Sequence, residues 1–377
     1  MQHISIIKSK KSPYYGGRDK QLICLAAAWV GAGKNIAVFS NCAILREEAK
    51  KKEIGYKKIW LGCEPIGFKN SLVFTLLFPF LFLYSLAFAI ILKFREKIDT
   101  LYLANMPEKI LLTIPARLLG VNVIWEEFYI SSEWHIFNPF RLLWIINARA
   151  AKIFTFSNAA KNILIKKGLP KKIKVIYPGI NLAEFENQQS LFTSAEDQNL
   201  NSKNLFKIGV ICRLTKKNGL EYLLQALKII VELIPEAQLV IIGTGDERFN
   251  LNWLVKKLDL AKHIWFMGYQ ENYCHWLKNF DLFIMPSVVN QSINIAIIEA
   301  MAYFCPVIAS NLSGIDEIVK HTQSGILVPP GNPEILAQVI IQLYRDKTLR
   351  DEMGKNGYNR VRSVFNIERV MEDLERI

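Results

Sequence analysis

Histidine is scarce in this 377-residue chain, five in all, and no His-Glu-x-x-His or paired-histidine spacing occurs. A structural or catalytic zinc is therefore not expected. Cysteine is sparse as well. Cys24, Cys42, Cys63, Cys212, Cys274 and Cys305 form no Cys-x-x-Cys pair, and most sit in apolar runs. They read as reduced core thiols of a cytosolic protein. A secretory leader is not expected either, because the apolar run 4–7 is short and Lys8, Lys10 and Lys11 follow it rather than precede it.

Acidic residues are short in the first half. Residues 1–185 carry 27 Lys+Arg against 12 Asp+Glu, a net of +15, whereas residues 186–377 carry 20 against 22, a net of −2. Such a basic half calls for an anionic partner or surface. Nucleic acid is not the expected partner, since no nucleic-acid module is visible. Charge is missing altogether from residues 71–92, an apolar run long enough to span a bilayer. Three readings stay open for it: a transmembrane helix, a buried helix pair broken at Pro79, or a helix lying in one leaflet. The flanking Lys69, Lys93, Arg95 and Lys97 suit anionic headgroups. The last two readings are compatible, one face in the core and one in lipid.

What is present is an alternation of short apolar runs with helical segments. Runs of strand length fall at 3–7, 36–40, 100–104, 122–125, 151–157 and 174–176, and again at 207–212, 238–242, 263–266, 281–285, 307–309 and 325–330. Alternation of this kind in each half implies two doubly wound parallel-sheet domains, and the length suits two domains. The polar stretch 188–204 reads as the linker.

The stretch 286–310 is the most informative. Pro286 and Ser287 close a strand, a polar loop follows, Asn294 can cap a helix over 295–302, and Pro306 opens the next strand. Ligands in open α/β sheets bind at such strand ends, and the helix start offers N–H groups to an anion. Glu299 is the only charge between Asp281 and Asp316. It is either a core carboxylate held by backbone or a ligand group. Near the start, the run 3–7, then Gly16 and Gly17, then a helix over 21–30 would let backbone approach a phosphate.

These pieces resemble the family 4 (group 1) retaining glycosyltransferases of the two-domain GT-B fold. Matching runs include Arg213-Leu214, Gly243-Thr244-Gly245, Phe266-Met267-Gly268, Pro286-Ser287, Glu299-Ala300-Met301-Ala302, Pro306-Val307-Ile308 and Gly325 through Gly331. The resemblance implies two Rossmann-like domains facing a central cleft: 1–187 on the acceptor side, with the apolar segment 71–92, and 205–358 binding the nucleotide sugar. Residues 359–377 would form a helix returning toward the first domain. It also implies roles. Glu299 would bind the donor ribose, Arg213 and Lys217 the diphosphate, and Gln291 with the backbone near Asn294 the sugar. Gly16, Gly17, Asn218, Gly243, Gly268, Tyr269, Ile293 and Ile295 would complete the donor pocket. Glu126 and Glu127 stand where the family carries an acceptor-side histidine, with His135 in the loop beyond.

The chain departs from the family at Gln291, where a Glu is usual, at Asn218, where a Lys is usual, and at Glu126-Glu127. Two functions therefore fit. One is a retaining, metal-free and cofactor-free transferase taking a nucleotide sugar to a glycan or lipid-linked acceptor at the cytoplasmic membrane face. The other is a non-catalytic relative that binds a sugar nucleotide or a partner at a membrane.

Overall fold

The computed structural model describes residues 2–9, 16–128, 138–183, 205–289 and 293–377. The chain divides into two units, Met1–Gly179 with Ile367–Ile377, and Ile180–Asn366. The stretch 188–204 lies outside the described residues.

The first unit holds strands β1 (His3–Lys8), β2 (Asn35–Ser40), β3 (Gly55–Lys57), β4 (Thr100–Leu103), β5 (Asn122–Glu127), β6 (Lys152–Thr155) and β7 (Lys174–Val175). All pair in parallel, in the order β3-β2-β1-β4-β5-β6-β7. Its helices are α1 (Gly17–Gly31), α2 (Ala43–Lys51), α3 (Phe68–Phe94), α4 (Met106–Leu118), α5 (Arg141–Ala150) and α6 (Asn158–Lys166).

The second unit holds β8 (Phe206–Ile211), β9 (Ala237–Ile242), β10 (Ile264–Gly268), β11 (Leu282–Met285), β12 (Val307–Ser310) and β13 (Ile326–Val328), in the order β10-β9-β8-β11-β12-β13. Its helices are α7 (Leu220–Leu233), α8 (Arg248–Lys257), α9 (Cys274–Leu277), α10 (Ile295–Ala302), α11 (Ile315–Ile318), α12 (Pro333–Arg345) and α13 (Lys347–Val364). Every residue of β8, β9, β11 and β12 is buried. Helices cover both faces of a parallel sheet, which is why these strands read as unbroken apolar runs.

The C-terminal helix expected over 359–377 is two helices. The chain breaks after α13, where the Phe365 carbonyl accepts the Ile180 N–H at 2.8 Å, and resumes as α14 (Ile367–Glu375). Helix α14 packs on α1 within the first unit. Glu375 pairs there with Lys34, and the Lys174 ammonium donates to the Arg376 carbonyl.

The break at Pro79, part of one of the three readings, does not occur. Helix α3 runs unbroken through it for 27 residues. Proline removes one backbone hydrogen bond and costs about 3 kcal/mol in a helix interior. Packing on one face offsets that cost. Phe74, Leu81, Ala89 and Leu92 join the core that also holds Leu101, Leu103, Leu111 and Trp125, and the Phe74 ring meets Phe140 edge-on at 4.8 Å. The Ser85 hydroxyl donates to the Leu111 carbonyl of α4 at 3.0 Å. Phe74 is fully buried, so Phe74→Ala is expected to cost about 3–5 kcal/mol. Phe80 is 74% exposed, and Phe80→Ala should stay within about 0.5 kcal/mol. Urea unfolding of the two variants checks this assignment of faces, and equal losses would contradict it.

Candidate active site

The second sheet reverses its order between β8 and β11. Connections leave these neighbouring parallel strands toward opposite faces, so the loops at their carboxyl ends flank a crevice. After β8 come Arg213 and a turn of 3-10 helix, Lys216–Asn218. Arg213 and Lys217 are exposed. Asn218, expected among the donor ligands, is buried, and its amide donates to the Arg213 carbonyl at 2.5 Å. Gly219 then takes φ +64°, and a Cβ there would collide with the Pro286 carbonyl oxygen. The two loops thus touch backbone to backbone, and the Val288 N–H donates to the Lys217 carbonyl at 3.0 Å.

Gly243 follows β9 with φ +135°, and a Cβ there would strike the carbonyl oxygen of Cys212. Its N–H donates to the Gly268 carbonyl at 2.7 Å, and the Leu214 N–H to the Thr244 carbonyl at 3.0 Å. Gly243 and Gly268 therefore pull the ends of β8, β9 and β10 together beneath Arg213. Tyr269, next along, is exposed. Burial pushes the Cys212 thiol up to about 12, so it is no nucleophile at neutral pH.

After β11, Ser287 is fully buried and Ile293 nearly so. Gln291 lies outside the described residues. The Asn294 side chain accepts the Ala296 N–H at 3.0 Å and caps α10, whose first residue is Ile295. Glu299 sits in the second turn of α10, fully buried, and its Oε2 accepts from the Tyr273 hydroxyl at 2.7 Å. Sequence reasoning missed Tyr273, which nothing distinguishes among 13 tyrosines.

The first sheet reverses between β1 and β4. Gly16 ends the loop after β1 in an ordinary extended conformation, φ −98° and ψ 171°, and caps α1, which Gly17 begins. The Gly16 N–H donates to Asp19 Oδ2 at 3.2 Å, and Asp19 pairs with Lys8. The anion at this helix start is thus the chain's own carboxylate.

Glu126 and Glu127 are the last two residues of β5, and both are buried rather than solvated. Glu126 accepts from Arg18 Nε and from the Tyr102 hydroxyl, each at 2.5 Å. Glu127 accepts from Lys109 at 2.8 Å and from the Trp144 indole at 3.1 Å. Arg18 also donates to the Ala104 carbonyl and lies over the Phe128 ring. His135 lies outside the described residues. Burial pushes the Glu126 carboxyl up, but Arg18, the Tyr102 hydroxyl and Lys109 outweigh it, and the net is below the usual carboxylate value. Glu108 goes the other way. Burial raises it, against hydrogen bonds from Ser9 and from the backbone at Asn105.

Removing Arg18 leaves Glu126 buried without its cation, so Arg18→Met is expected to cost about 2–4 kcal/mol at pH 7. Because the folded value is depressed, Glu126 stabilises fully above the unfolded carboxylate value of about 4.3, and the contribution is lost as pH falls through the folded value. In the variant burial pushes the carboxyl up with no Arg18 to oppose it, so the deficit against wild type should shrink as pH falls and Glu126 takes up its proton. Urea midpoints measured across acid pH check both statements, and a variant that tracks wild type throughout would contradict them.

Comparison with known proteins follows this geometry. Residues 192–360 match the family Glycosyl transferases group 1. A glycosyltransferase of Methanocaldococcus jannaschii is 31% identical over 213 residues, 55% of this chain and 53% of its own length. The Escherichia coli UDP-Gal:alpha-D-GlcNAc-diphosphoundecaprenol alpha-1,3-galactosyltransferase is 27% identical over 292 residues, 74% of this chain and 75% of its own. Among solved structures, HepE of Anabaena in complex with UDP superposes with a TM-score of 0.81 at 20% identity, over 100% of this chain and 99% of that one. The family match lies in the second unit, and the fold is shared along the whole chain: residues 192–360 are similar to the group 1 glycosyltransferases, and the protein has the GT-B fold.

Proposed function

We propose that the protein transfers a sugar from a nucleoside-diphosphate donor to a glycan or lipid-linked acceptor held at the cytoplasmic face of a membrane, with retention and without a metal. One observation carries this reading. The loop bearing Arg213 and Lys217 is bonded to the loop after β11 through Val288, so two cations stand beside the strand end that leads into α10 and Glu299. The leaving diphosphate gathers charge as the glycosidic bond breaks. Arginine suits it by bidentate contact, lysine as a point charge, and helix starts favour anions. Buried Glu299, steadied by Tyr273, would hold the ribose hydroxyls. Retention follows from the family likeness, with a donor phosphate oxygen taking the acceptor proton on the face the leaving group departs. The basic first half supports an acceptor presented at an anionic surface, and the Escherichia coli relative is named for a diphosphoundecaprenol acceptor.

A non-catalytic binding role is the second reading, favoured by Asn218, whose amide is turned inward onto the Arg213 carbonyl. The test is label transfer from a mixed pool of nucleotide sugars into a membrane lipid extract, followed together with nucleotide release. Wild type should transfer label, keep doing so in EDTA, and give a product of the donor's anomeric configuration. Arg213→Ala should lower the rate by about 10²–10³, and Glu299→Gln should raise the donor KM. Transfer unchanged in both variants overturns the site, and an inverted product or loss in EDTA overturns the mechanism. Neither release nor transfer in wild type moves the protein to the second reading.

A further inference from the structure

Helix α3 is apolar on two opposite faces. Phe74, Leu81, Ser85, Ala89 and Leu92 form the buried stripe. At 100° per residue they cluster on one side. The far side carries Phe68, Leu72, Leu76, Phe80, Leu83, Ile90, Ile91 and Phe94, all exposed, with Leu76 at 69%, Phe80 at 74% and Leu83 at 65%. Among the described residues, twelve of the 26 exposed large apolar side chains lie on this one helix. A helix on a water-facing surface normally shows charged or polar groups there, yet α3 has no charge from residue 71 to residue 92. Leu118 of α4, which packs on α3, and Leu142 of α5, which packs on α4, are exposed as well. Cations border the outer face of α3, with Lys57, Lys58, Lys69, Arg95 and Lys97 exposed.

We infer that the outer face of α3 is a membrane-docking surface that lies in the plane of one leaflet of an anionic bilayer, with its apolar side chains below the headgroups and its lysines and arginine among them. Burial decides the orientation. The inner stripe is built into the same core as β4 and β5, and Ser85 is bonded to α4, so the helix cannot turn to cross the bilayer without tearing that core open. Charge decides the occupant: basic flanks around an apolar face match anionic lipid. The inference deepens the membrane-side acceptor proposed above and rests on that reading for its use in the cell. Binding itself needs neither donor nor acceptor, so a failure to bind and a failure to transfer are read separately.

The experiment is co-sedimentation of the full chain with phosphatidylcholine vesicles, with and without phosphatidylglycerol. Wild type should bind the anionic vesicles and be released by high salt or by alkaline carbonate. The combined variant Leu76→Glu, Phe80→Glu, Leu83→Glu should lose at least about tenfold in affinity, with unchanged circular dichroism and thermal unfolding, because all three side chains face outward. Phe249→Glu, an exposed aromatic of the second unit, should bind as wild type does. The inference is overturned if the triple variant binds normally, or if wild type binds neither vesicle. Retention through the carbonate wash would mean a spanning helix. A dimer abolished by the triple variant, without vesicle binding, would mean that a second copy covers the face.

Discussion

The hydrogen bond from the Val288 amide to the Lys217 carbonyl joins the two loops that the reversal of strand order leaves on either side of the second sheet's crevice. Gly219 makes the approach possible, since any side chain there would meet the Pro286 carbonyl. The short 3-10 turn between Arg213 and Gly219 then settles which side chain faces outward. Successive residues in such a turn point about 120° apart. With Asn218 turned in to bond the Arg213 carbonyl, Lys217 is turned out. The position next to the glycine holds the loop, and the position before it carries the charge.

The first unit solves a different problem. Two adjacent carboxylates end β5, and successive side chains on a strand point to opposite faces. Each face must then supply its own cation, because an unpaired buried charge is too costly to keep. Arg18 from α1, with Tyr102 from β4, serves Glu126 on one face. Lys109 from α4, with Trp144 from α5, serves Glu127 on the other. Four elements are tied to one strand end in this way. These carboxylates fix the rim of the sheet, and it is Arg18, partly exposed, that carries the pair to the surface.

The elements were legible wherever local physics decides them. The buried parallel strands read as apolar runs, and Asn294 before an apolar stretch marked α10 at its observed start. Residues 213, 217 and 299 were expected as ligands from the family likeness, and the structure leaves 213 and 217 exposed after β8 and buries 299 in α10. Their partners were not legible. Arg18 and Glu126 lie 108 positions apart and Tyr273 and Glu299 lie 26 apart, and nothing in either local pattern announces the other. Asn218 and the Glu126-Glu127 pair looked like departures at ligand positions. Side chains turned inward by the backbone account for both, and a sequence does not show direction. The break that one reading placed at Pro79 is absent for a related reason, since the penalty is local and the aromatic packing that offsets it is not.

Helix α3 shows the same limit from the other side. Its sequence is uncharged and mostly apolar from residue 71 to residue 92, so no periodic signal separates a core face from an outer one. Only the stripe from Phe74 to Leu92, seated against the core of the first sheet, divides them. Once that stripe is fixed, the rest of the helix faces water with no charge from residue 71 to residue 92 and with few polar groups, Thr75 and Tyr84 among them. An apolar face left in water forgoes roughly 25 cal/mol for every Å² that could be covered. Charged residues on the outer face would satisfy water without disturbing the core. Their absence, beside lysines in the half of the chain that carries the net positive charge, fits the membrane-docking face inferred above. The same medium would bring an amphipathic acceptor to the unit that carries α3, so the charge of the first half and the apolar face of its longest helix have one physical explanation.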